Sequence, residues 1–104
     1  MKSSLILFQI GALRILKEVS LNCAIRQFMA DLGAIQIFLK LLRDDNNELQ
    51  CLAAETIAHV AQFKRARRIV RINGGITSLV SIRHTGRDFS YSTILSVWFI
   101  RQQD

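Results

Sequence analysis

The 104-residue sequence contains no proline and only five glycines. Proline breaks helices and initiates turns, so its absence favours long uninterrupted helices over a turn-rich β architecture. Cysteine is almost as scarce. Cys23 and Cys51 are too few for a disulfide scaffold and lack C-x-x-C spacing. Both are expected to be free thiols in a reducing compartment. His59 and His84 belong to no matched set of ligands, and zinc needs three or four that converge. No metal or other cofactor is expected.

Long apolar runs are also missing. SSLILFQIGAL near the amino terminus and FSYSTILSVWFI near the carboxyl terminus are uncharged. Each is about a dozen residues, short of the roughly 20 that a membrane span needs. Arg14, Lys17 and Glu18 follow the first run at once and no small-x-small cleavage site appears, so a signal peptide is not expected either. Core helix accounts for both, and the chain reads as cytoplasmic.

What is present suits one folded domain: 50% of residues are hydrophobic and 21% charged. The net charge of +6 permits nucleic acid, anionic lipid or acidic protein as a partner and selects none of them. Five of the fourteen Lys and Arg residues fall between Lys64 and Arg71. Projected as a helix, Ala66, Ile69 and Val70 share one face. Lys64, Arg67, Arg68 and Arg71 fall opposite, with Arg65 at the margin. The cluster is therefore in part a consequence of amphipathicity, its arginines expected to point at water.

Sliding the sequence by 41 positions lays Ile10–Leu42 on Cys51–Arg83 without a gap. Ala12/Ala53, Val19/Val60, Arg26/Arg67, Gly33/Gly74 and Ile35/Ile76 are identical, and many other pairs are both apolar. The matches fall on helix-core positions and on a glycine turn, the pattern of a helical solenoid. Each unit contains three helices. The longest, through ELQCLAAETIAHVAQF, buries Leu49, Leu52, Ala53, Thr56, Ile57 and Val60 and takes its N-cap from RDDNN. Its alanines allow close helix approach, and Cys51, aligned with Ile10, is expected in the core. The next helix spans 64–72 and ends at Gly74–Gly75, where glycine accepts a left-handed cap. The third is AIQIFLKLL in one copy and GITSLVSIR in the other.

At this point the residues resemble an armadillo repeat. The stretch GAIQIFLKLLRDDNNELQCLAAETIAHVAQFKRARRIVRINGGI has the order of that pattern: a Gly-led helix, a polar turn, an Ala-rich helix, and a short helix ending in Gly. The resemblance covers roughly residues 10–82. More narrowly, CLAAETIAHVAQFKRARRIVRINGGIT is similar to the armadillo-repeat subunits that dock ciliary outer dynein arms. It implies an all-α, α-α superhelical solenoid of about two repeats, a non-catalytic scaffold for protein partners. Those partners would be dynein docking-complex subunits and axonemal microtubule proteins, in the cilium axoneme or its cytoplasmic pool.

The resemblance also implies a groove lined by the Ala-rich helices, which places Arg14, Glu18, Glu55 and His59 along it. Nuclear-import adaptors of this fold carry a Trp and an Asn at the Glu55 and His59 positions. Arg14 and Glu18 occupy the equivalent places in the first copy. The missing aromatic and amide argue against an import role. Glu55 and His59, one turn apart, are expected to form a groove-lining ion pair, with no nucleophile or oxyanion pocket to make them catalytic. The basic candidates are Lys64, Arg67, Arg68 and Arg71. With no aromatic interleaved among them to stack bases, nucleic acid is disfavoured. Arg26 and Arg67, one period apart, are expected to share a structural task, bonding carbonyls at a neighbouring helix end.

Both ends depart from the repeat. Residues 1–9 read as a divergent segment and 84–104 as another, a candidate cap helix, leaving 10–83 as the repeats. Two units alone expose two apolar faces, since repeat proteins bury their core between neighbours. The chain is accordingly expected to be a short or truncated product needing its termini or a partner to cap it.

Overall fold

Asparagine side chains start two of the helices, and glycines at positive φ turn the chain between others. The computed structural model describes residues 4–83, which form six helices: α1 (Ser4–Val19), α2 (Cys23–Asp31), α3 (Ala34–Leu41), α4 (Asn47–Val60), α5 (Lys64–Ile72) and α6 (Gly75–Arg83). There is no strand among the described residues. Asn22 accepts from the amide of Ile25 at 3.2 Å to open α2, and Asn46 accepts from that of Leu49 at 3.0 Å to open α4. The turn before α4 is held further. Asp44 Oδ1 accepts from Asn46 N at 2.8 Å, and Gln50 Nε2 donates to Leu42 O at 2.9 Å.

The 41-residue offset holds in three dimensions. Added to the bounds of α2, it returns those of α5; added to the last residue of α1, Val19, it returns that of α4, Val60. Gly33 and Gly74 both adopt the left-handed conformation, at φ 78° and 72°, and no other described residue has positive φ. α1 begins earlier than its equivalent α4. Leu5–Phe8 are helix formers with no capping Asp or Asn ahead of them, so the helix continues back to Ser4 through part of the segment read as divergent.

α1 lies along α4, α3 packs on α4 and α5, and α2 bridges α3, α4 and α5. Leu49, Leu52, Ala53, Ala54, Thr56, Ile57, Ala58 and Val60 make α4 the buried spine. Its small residues let the flanking helices come near. The core joins Ile10 and Leu13 of α1 to Ile35, Phe38 and Leu39 of α3, Val70 of α5 and Leu79 of α6. Ile69 and Ile76 pack at its edge. Cys51 is half-buried, not a core residue: it lies on the outward stripe of α4 with Glu48 and Glu55. Cys23 is exposed, and both are free thiols. The readings that concern His84 and residues 84–104 lie outside the described residues.

Candidate protein-interaction surfaces

The long helices α1 and α4 put their polar stripes side by side. Arg14 of α1 forms an ion pair with Glu48 of α4, and Lys17 Nζ lies 3.3 Å from Glu55 Oε2. These contacts bring together three of the four expected groove residues, Arg14, Glu55 and His59, while Glu18 stands exposed at the end of α1. They also overturn one expectation. Glu55 and His59 do not pair with each other, because α1 offers each a nearer partner.

For His59 that partner is the carbonyl end of α1. Its Nδ1 is 3.0 Å from Lys17 O and 2.9 Å from Ser20 Oγ, and Ser20 Oγ itself donates to Lys17 O at 2.6 Å. A carbonyl can only accept, so Nδ1 carries the proton and shares it between the two oxygens. Ser20 is wholly buried. His59 thus clasps adjacent repeat units and is not simply a residue displayed in a groove. Ser20→Ala is expected to lower stability by about 1 kcal/mol. For a domain of this size that is roughly 4–8 °C in thermal melting followed by circular dichroism.

The basic helix α5 divides more sharply than its sequence implies. Lys64 and Arg68 are exposed and form no ion pair among the described residues. Arg65 makes an ion pair with Asp31 of α2 and stacks 5.4 Å over the Phe63 ring. Arg71 is half-buried. Arg67 is only 7% exposed, and its Nη1 donates to Ala61 O at 2.9 Å. It was expected on the wet side; it turns instead across the carbonyl terminus of α4, where a cation meets the negative end of the helix. Burial, and then the neighbouring Arg71 charge, lower the pKa of its guanidinium from the ordinary arginine value.

The structural task foreseen for the recurring arginines therefore holds for Arg67. Arg26, one period earlier and half-buried, bonds Gln62 Oε1 at 3.2 Å instead of a helix-end carbonyl. Among the described residues, no three His, Cys, Asp or Glu side chains converge as metal ligands, and no helix is long and apolar enough to cross a membrane.

Residues 22–62 match the family model of the Armadillo/beta-catenin-like repeat. This stretch is similar to an armadillo repeat. It opens on Asn22, the cap of α2, and runs through α3 to just beyond α4, one full 41-residue period. In that frame α2–α4 correspond to a whole armadillo unit, α1 to its third helix, and α5 and α6 to its first two. The described fold is accordingly an armadillo-type α-α solenoid. No curated protein matches the chain.

Proposed function

We propose that this chain is a non-catalytic armadillo-repeat scaffold that docks an acidic protein through the exposed cations of α5, Lys64 and Arg68. The observation that carries this reading is the division within α5. Arg67 is used by the fold and Arg65 is engaged with α2, whereas Lys64 and Arg68 remain exposed with no ion pair among the described residues. The flank between α1 and α4, in contrast, has Arg14, Lys17, Glu48, Glu55 and His59 already bonded to one another or to backbone. Glu18 is exposed and forms no ion pair among the described residues.

The resemblance to armadillo-repeat subunits of the outer dynein arm docking complex supplies the setting: attachment of dynein arms to axonemal microtubules in the cilium. A coiled-coil subunit or an acidic tubulin tail would then be the partner, held by charge and weakened by salt. Lys64→Glu with Arg68→Glu is expected to reduce capture of docking-complex proteins or tubulin from ciliary extract by about tenfold or more. The melting curve should not move. Proximity labelling in ciliated cells places the assignment: docking-complex neighbours support it, and importins or chromatin would replace it with a nuclear role.

A further inference from the structure

Helix α1 has a second apolar face, distinct from the one it lays on α4. Where α1 runs alongside α4, Leu49 and Thr56 of α4 are 0% exposed. Their equivalents one period earlier are Phe8, 73% exposed, and Ile15, 66% exposed. Between these lie exposed Gly11 and half-buried Ala12, equivalent to buried Leu52 and Ala53. Leu5 extends the stripe by a turn and is also exposed. The same contrast appears on the neighbouring helix, where Phe28 of α2 is exposed and its equivalent Ile69 packs on the core. This is the inter-repeat interface of the solenoid, presented once more with nothing described against it. An apolar patch of this kind marks an interaction site.

We infer that a second copy of this chain covers it, with α1 packed antiparallel on α1 about a two-fold axis. Continuity with the α1–α4 interface, in which the two helices run parallel, calls for a helix on this face, and α1 itself supplies one. The order of the stripe makes that helix self-complementary. Phe8 precedes Gly11 by three residues and Ile15 follows Ala12 by three. In an antiparallel pair crossing at Gly11–Ala12, each Phe8 meets Ile15 of the second copy, and the small residues let the backbones approach at the axis. Electrostatics favours this over a charged partner. The cations flanking the stripe, Arg14 and Lys17, are already paired with Glu48 and Glu55 of the same chain, so closing the contact strands neither.

Sedimentation equilibrium of the full 104-residue chain tests the inference. A closed monomer–dimer equilibrium is expected. Salt should tighten it, because two chains of net charge +6 repel until screened. Charge-driven docking through α5 responds to salt in the opposite sense, so the two readings fail separately. Gly11→Arg is the decisive variant. A Cβ at Gly11 meets nothing within 4 Å in its own chain, so helicity is retained while the crossing is blocked, and dimerisation should weaken by about tenfold or more. Gly11→Cys in a chain with Cys23→Ser and Cys51→Ala should cross-link two copies under mild oxidation. A chain monomeric throughout the concentration series, an open-ended assembly, or a Gly11→Arg dimer as tight as the original would overturn the inference.

Discussion

Arg67→Glu is expected to lower unfolding free energy by about 3–5 kcal/mol, the range for leaving an uncompensated charge buried. Arg68→Glu, one residue along, should leave the melting curve where it is. The two arginines are adjacent in sequence and opposite in environment. Arg67 lies buried with its Nη1 on Ala61 O, whereas Arg68 faces solvent. A glutamate at 67 would lose the donor and set a carboxylate against the carbonyl end of α4, where the helix dipole already repels negative charge. Arg67→Met keeps much of the packing and forfeits the bond to Ala61. Its cost should be smaller, about 1.5–3 kcal/mol. Urea unfolding of the three variants checks the order. Equal effects from Arg67→Glu and Arg68→Glu would return both residues to the surface.

Gly75→Ala is the second large effect, about 1–3 kcal/mol of destabilisation. Gly75 is buried at the start of α6. A Cβ there would lie 2.5 Å from Val70 Cγ1, 2.9 Å from Leu39 Cδ2 and 2.9 Å from Val70 O. The methyl groups can turn aside, but the carbonyl belongs to α5, so α5 and α6 must separate. The equivalent residue of the preceding unit is Ala34, half-buried at the start of α3. The methyl forbidden in one copy is thus present in the other. Thermal melting should show Gly75→Ala well below the parent chain, while Ala34→Gly loses about 0.5–1 kcal/mol through helix propensity alone. A Gly75→Ala protein as stable as the parent would mean that α5 and α6 pack less closely than described.

Much of the architecture was legible in the chain because it depends on local rules. The spacing of Leu49, Leu52, Thr56 and Val60 declares a buried helical face, the Asn caps mark helix starts, and Gly33 and Gly74 mark the same left-handed turn one period apart. A repeat seen in sequence then carries its stacking with it, since like units present like faces. The basic helix was legible only in part. On a helical wheel Arg67 lies about 60° from Val70, at the margin of the apolar face, so the wheel alone could not decide its exposure; a long side chain can fold over a helix end, and the carbonyl it reaches belongs to α4.

The same distinction separates the groove residues. That Arg14, Glu18, Glu55 and His59 fall at corresponding places in the two long helices followed from the 41-residue offset alone. That His59 bonds Lys17 O and Ser20, and that Glu55 takes Lys17, followed only from the stagger of α1 on α4. Sequence by itself determined the helices, their order and their repeat, because these rest on periodicity, caps and backbone freedom within a few residues. Tertiary structure alone decided which polar groups are spent inside the fold and which remain for a partner, because that depends on distances between helices that no local pattern contains.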